Sequence, residues 1–390
     1  VEYNPAVAKA LKKTKYQPHP IGKSECIPMH LTCPKGKNPD QVYLYLYGKT
    51  ITNAQRAYKI SSSGTPEGFA PVTQGGQNIS RYAIKLSSLP YNSATGQYTL
   101  YIPKEIQNGG RLYFSLDKPL SWANPSIDPK AGDPDLGLRW SDIEFNFSDK
   151  NNSIYFNPSA VDSFDSPSYA FTVVGGKTYS PAGYQGDPKV LIANFLKNLA
   201  TYCGGVQTSL YKTWAQLVKS EGCGQESHQR ILAPKQLLSV FGPYFQGYYK
   251  PFLSTCNAEN PLYLTTAGGT AKCFFDGQDL HFEGAGTHYK ISLSKLTANN
   301  WFSGGGFSAA FISAHPQIQN LMRDLSALLM SGIKPDQIKT TESLPVSDAF
   351  FAQALKNHLF YQATYEGKPM YDLYDRAMHA AGYHGYAYDF

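Results

Sequence analysis

From Asp142 to Ser148 polar and apolar side chains alternate without a break: Ile143, Phe145 and Phe147 stand between Asp142, Glu144, Asn146 and Ser148. A period of two belongs to a strand with one face in a core and the other in water, so Glu144 is expected on a polar sheet face. Residues 153–157 read as the return strand, with the polar run 149–152 as the turn, and Asp162 follows just beyond. In the plain reading both acids are solvated surface groups, as most exposed Asp and Glu are. In the sharper reading, two carboxylates on neighbouring strands facing one groove are what acid–base hydrolysis of a glycosidic bond requires. The same alternation recurs at Val42, Leu44 and Leu46 against Tyr43, Tyr45 and Tyr47, and in the stretches 81–86, 96–103 and 109–116. Such short strands at short spacing predict a sandwich or barrel.

After Tyr184 the period changes. Leu191, Phe195 and Leu199, then Leu210, Trp214, Leu217 and Val218, fall at helical spacing, with Gly222 as a stop. Strands return over 260–295, including an Asp276-Gly277 hairpin signal. Pro316 then opens a helix with Ile318, Leu321, Met322, Leu325 and Leu329 on one face and Gly332 at its end; further helices are expected near 347–361 and 369–381. The fold class is therefore α+β: an all-β domain over 21–183, completed by an aromatic closing strand at 383–390, and a mixed α/β domain over 184–382. The Pro-, Asp- and Gly-rich stretch 119–138 reads as a long loop, and such loops are often functional.

Charged residues are only 16% of the 390, against roughly 25% in ordinary globular chains, while Gly (34), Pro (26) and Tyr (29) are abundant. That is the profile of a strand- and loop-rich secreted protein. The net charge of +6 is scattered, with no basic stripe, which argues against nucleic acid as a partner. No apolar run of 18 residues is present and the first residues lack a signal-type segment, so a membrane role is not expected and any export signal is taken as removed. Six cysteines form three sequence-local pairs, Cys26 with Cys33, Cys203 with Cys223 and Cys256 with Cys273, and are predicted as three disulfides. Metal binding and reduced buried thiols are the competing readings; CxxC and HExxH frames are absent. His379 reads as a packing or hydrogen-bonding residue rather than a catalyst, and Gly304, Gly305 and Gly306 as a tight turn or a backbone close to a ligand. Trp122, Trp140, Tyr155 and Tyr169 flank the carboxylate segments; their rings suit either sugar stacking or sheet packing.

Five stretches in order, GGRLYFSLDKPLSW (109–122), WSDIEFNF (140–147), VDSFDSP (161–167), NWFSGGGFS (300–308) and GYAYD (385–389), resemble glycoside hydrolase family 64, the laminaripentaose-producing β-1,3-glucanases of the thaumatin-like superfamily. The resemblance implies a thaumatin-type β-barrel beside a mixed α/β domain, with a wide groove between them for β-1,3-glucan polysaccharide. By position it implies Glu144 as general acid and Asp162 as general base of an inverting, monomeric, extracellular endo-glucanase that needs no cofactor and no metal. Glu144 would have to carry a proton and Asp162 a charge, about 6.5–9.5 Å apart. Trp122, Trp140, Asn146, Ser148, Tyr169 and Asp389 are the expected substrate contacts. Asn146, Ser166 and Phe390 depart from the family pattern, where Thr, an apolar residue and Asp are usual; these changes touch the groove rather than the catalytic positions. A thaumatin-like protein that binds glucan, or serves in defence, without turnover is the alternative.

Overall fold

The alternating stretches around residues 42 and 142 are central strands of one sheet in the computed structural model, which describes residues 19–52, 55–69, 82–120, 138–150, 152–160, 163–203, 224–225, 228–234, 247–266, 268–284, 286–303, 306–339, 346 and 348–384. The chain divides into two units, Val1–Val190 with Leu217–Ile231, and Leu191–Gln216 with Leu232–Phe390. Sheets predominate, with a few helices.

The first unit holds β1 (Cys26–Thr32), β2 (Val42–Lys49), β3 (Gln55–Ile60), β4 (Pro66–Phe69), β5 (Gln97–Pro103), β6 (Asn108–Leu116), β7 (Arg139–Ser148), β8 (Ser153–Ser159), β9 (Tyr169–Val174) and β10 (Lys177–Gly183). Six of them join two short strands, His19–Pro20 and Ile84–Lys85, in an eight-stranded sheet ordered His19–Pro20, β4, β3, β2, β6, β7, β8, with Ile84–Lys85 on β2. Every pairing in it is antiparallel. A second antiparallel sheet pairs β1 and β5 with Tyr91–Asn92. Val42, Leu44 and Leu46 of β2, Leu112 and Leu116 of β6 and Phe145 of β7 bury one face of the large sheet in a common cluster with Leu100 and Ile102 of β5. The opposite face carries the odd partners of each alternation: Tyr45, Tyr113 and Trp140 form a smaller buried cluster with Leu120.

The helix α1 (Pro188–Cys203) begins in the last residues of Val1–Val190 and continues into the second unit, which also holds an antiparallel meander of β11 (Leu262–Thr266), β12 (Gly269–Phe275), β13 (Asp279–Gly284) and β14 (Thr287–Ser292). The helices α2 (Ile318–Ser331), α3 (Asp348–Lys356) and α4 (Leu373–Ala380) come next. The apolar face read for α2 is buried, from Ile318 through Leu329. Gly332 ends it in the left-handed region at φ 69°, where a Cβ would lie 2.7 Å from Tyr371 Cβ. Only glycine meets both demands at this stop. Among the described residues no helix is long and apolar enough to cross a membrane. The helix expected over 210–218 and the last residues of the closing run, 385–390, lie outside the described residues.

The cysteine pairing needs correction. Cys26 opens β1 and Cys33 follows its last residue, so a strand rising about 3.3 Å per residue holds them on the order of 20 Å apart, whereas a disulfide needs Cα atoms within about 7 Å. Among the described residues Cys26, Cys33, Cys256 and Cys273 form no disulfide. Burial pushes the Cys26 thiol up to about 11 and raises that of Cys33 as well. Cys273 is raised by burial and by its neighbour Cys256. Cys223 and the side chain of Cys203 lie outside the described residues.

Candidate active site

Register decides which groups meet on the face opposite the main core. Glu144 of β7 pairs with Arg111 of β6 on one side and Asn157 of β8 on the other, and Arg111 pairs in turn with Tyr47 of β2. One row nearer the start of β7, Asp142 pairs with Tyr113 and Ser159. Along β7 this face opens progressively. Trp140 is buried, the Asp142 side chain is 7% exposed, that of Glu144 is 33% exposed, and Asn146 is exposed.

Glu144 thus sits where the covered end of the sheet meets water. Its Oε1 lies 2.9 Å from Nη2 of Arg111 and accepts a hydrogen bond from Ser159 Oγ at 3.2 Å. Arg111 uses its other terminal nitrogen, Nη1, to donate to Asp142 Oδ2 at 2.7 Å. The guanidinium therefore bridges two carboxylates that the pleat places on the same face two residues apart. Oε2 of Glu144 has no hydrogen-bond partner among the described residues. A carboxyl with one oxygen anchored and the other open, on a rigid strand, is equipped to give or take a proton at a defined point.

Asn146 lies on the same face, its Oδ1 accepting from the Gly110 amide at 3.3 Å. Exposed Tyr155 stands directly opposite Asn146 in β8, and half-buried Ser148 faces Ser153 near the turn. Tyr169 is exposed on β9, its ring 5.9 Å from that of Phe171. Trp140 corrects the expectation of a sugar contact: it is 2% exposed, packed against Tyr113 and lying 4.3 Å beneath the Arg230 guanidinium. Burial leaves no ring face for a ligand. Asp162, Trp122 and Asp389 lie outside the described residues. His379 packs as read, its Nδ1 2.8 Å from Tyr361 Oη and 3.6 Å from Asp375 Oδ2.

Sequence reasoning passed over three groups that the structure brings to the site's framework. Asp142 could have been found, since it stands two residues before Glu144. Arg111 could not, because its role depends on strand register. Arg230 is fully buried and donates through Nη2 to the carbonyls of Leu138 and Trp140, while the same atom is 3.2 Å from Asp165 Oδ1. It ties the start of β7 to the segment that begins one residue after Asp162, and nothing local marks it.

Comparison with known proteins names the family. The family model of glycoside hydrolase family 64, described as β-1,3-glucanase, matches residues 26–390, and the chain belongs to that family. Among solved structures, a family 64 β-1,3-glucanase domain from Clostridium beijerinckii is similar at 18% identity and a TM-score of 0.50, covering 91% of this chain and 93% of that one; the likeness is one of fold. A laminaripentaose-producing β-1,3-glucanase from Paenibacillus barengoltzii is similar at 15% identity and a TM-score of 0.46, covering 90% of this chain and 67% of that one. The same enzyme complexed with laminarihexaose is similar at 14% identity and a TM-score of 0.42, covering 90% of this chain and 70% of that one. A search of curated protein sequences yields no significant match.

Proposed function

We propose that this β-1,3-glucanase is a secreted, monomeric, endo-acting enzyme that cleaves laminarin- or curdlan-type chains with inversion and releases short laminari-oligosaccharides. The observation that carries the reading is the asymmetry of Glu144, with Oε1 engaged by Arg111 and Ser159 and Oε2 open. In this reading the proton on Oε2 passes to the glycosidic oxygen as the C1–O bond breaks and its electron pair moves to that oxygen. Asp162 takes a proton from the water whose oxygen attacks C1 from the opposite face. Asn146, Ser148, Tyr155 and Tyr169 supply sugar contacts, joined by Trp122 and Asp389, with exposed rings stacking on pyranose faces. A thaumatin-like barrel is the architecture this reading implies for the first domain. Export follows from the substrate, since an insoluble polysaccharide does not enter a cell.

The test combines two variants with the stereochemistry of the wild type. Glu144→Gln should fold normally and lose about 10²–10⁴-fold in rate on linear β-1,3-glucan. Asp162→Ala should be nearly inactive and recover turnover with azide, giving an α-glycosyl azide, because azide needs no base. Proton NMR of wild-type hydrolysis should show the α reducing end first. A β anomer formed first excludes inversion, and near wild-type turnover by Glu144→Gln removes Glu144 as the acid.

A further inference from the structure

Arg111 is held at both ends. One terminal nitrogen is 2.7 Å from a carboxylate oxygen of Asp142, whose side chain is 7% exposed, and the other is 2.9 Å from Oε1 of Glu144. Because the fork is planar and rigid, fixing Nη1 on the buried Asp142 fixes where Nη2 points. Ser159, the cross-strand partner of Asp142, sends its hydroxyl to the same oxygen, Oε1. Both donors thus converge on one oxygen of Glu144 and leave the other open.

We infer that Asp142, Arg111 and Ser159 form a positioning device for Glu144, selecting Oε2 as the oxygen that carries the transferable proton and holding the carboxyl plane against the sheet. This rests on the reading of Glu144 as the proton donor. One N–H and one O–H donor make Oε1 the acceptor of the carboxyl, which leaves Oε2, without a hydrogen-bond partner among the described residues, as the oxygen for the transferable proton. Asp142 has a second task. As the permanent counter-ion of Arg111, it keeps the half-buried guanidinium paired whether Glu144 holds its proton or has just given it up. Arg111, Asp142 and Ser159 need not touch the substrate; they act through the aim of one carboxyl, which positioning effects of this kind make sensitive to shifts of about 1 Å.

The experiment separates this role from simple stability by changing how much the leaving group needs a proton. Arg111→Lys, Asp142→Asn and Ser159→Ala are assayed on linear β-1,3-glucan and on a 2,4-dinitrophenyl β-laminari-oligosaccharide, whose leaving group departs without protonation, with thermal unfolding followed for each. Lysine retains the charge but cannot reach both carboxylates with a fixed fork. Arg111→Lys and Asp142→Asn should lose about 10²-fold in kcat on glucan, with KM nearly unchanged, and less than about threefold on the dinitrophenyl substrate. Ser159→Ala should lose about three- to tenfold on glucan alone. Glu144→Gln, the control, should show the same selectivity with the larger loss. Equal losses on both substrates in Arg111→Lys and Ser159→Ala, or unchanged glucan turnover in both, overturn the positioning role. If Asp142→Asn does not fold, those two variants still decide the matter. A Glu144→Gln enzyme without leaving-group selectivity overturns the acid assignment itself, an outcome distinct from failure of the positioning variants.

Discussion

At Gly110 a hydrogen stands where any other residue would place a carbon 2.3 Å from the carbonyl oxygen of Phe145 and 2.8 Å from Ile106 Cγ2. The close approach lets β6 pair with the middle of β7, and the Gly110 amide reaches Asn146 Oδ1. Gly110→Ala is therefore expected to cost about 1–3 kcal/mol, since neither backbone nor packed core can yield cheaply; urea denaturation checks it, and an unchanged midpoint would show that β6 can shift. Because the shift it forces lies one residue from Arg111, activity on glucan should fall as well. At this scale alternation placed Glu144 on the polar face, where it lies, and left Trp140 open between sugar stacking and sheet packing. Alternation assigns a face, and the face of Trp140 is the polar one, but it does not say that Tyr45, Tyr113 and Leu120 close over that end of it.

Among elements, β1 and α4 each carry a prediction. Cys26 and Cys33 stand at opposite ends of β1, so alkylation of the unfolded chain without reductant should modify both, by peptide mass. Their protection would require a strand broken in its middle. Asp372 caps α4, its Oδ1 accepting from the amides of Tyr374 and Asp375. Burial, then the charge of Asp375, pushes the Asp372 carboxyl from 3.8 up to about 7, against the pull of those amides and of His379. Its Oδ2 is buried without a hydrogen-bond partner. The folded state thus binds a proton at Asp372 that the unfolded chain has released above about pH 4, so this group's contribution to stability declines as pH rises from about 4 to about 7. Asp372→Asn keeps the cap oxygen and removes the charge. It should match the wild type near pH 4 and exceed its Tm by several degrees near pH 8. Equal melting curves at pH 8 would mean that Asp372 is already neutral or solvated there.

Over the whole molecule, contacts between distant segments hold the site's framework. Arg230, 92 and 90 positions from Leu138 and Trp140 in sequence, donates to both carbonyls and lies against Asp165 and the Trp140 ring. Removing one partner of a buried ion pair leaves the other charge without compensation, which typically costs about 3–5 kcal/mol. Arg230→Met should destabilise on that scale, and adding Asp165→Asn should recover part of the loss in a double-mutant cycle. Strict additivity of the two would show that the pair is not coupled. What the sequence determined by itself was local: strand faces from period two, α2 and its Gly332 stop from period 3.6, and Glu144 on a polar face, because each depends on residues within a turn or a pleat of one another. The family was legible for the same reason, in five short stretches along the chain. What only the tertiary structure decided was register and closure. Arg111 opposite Glu144, Ser159 reaching Oε1, Trp140 covered and Cys26 parted from Cys33 all depend on which strand lies beside which and how the chain packs around them. Long-range pairing is set by the summed burial of the whole core, a quantity that no single stretch of residues contains.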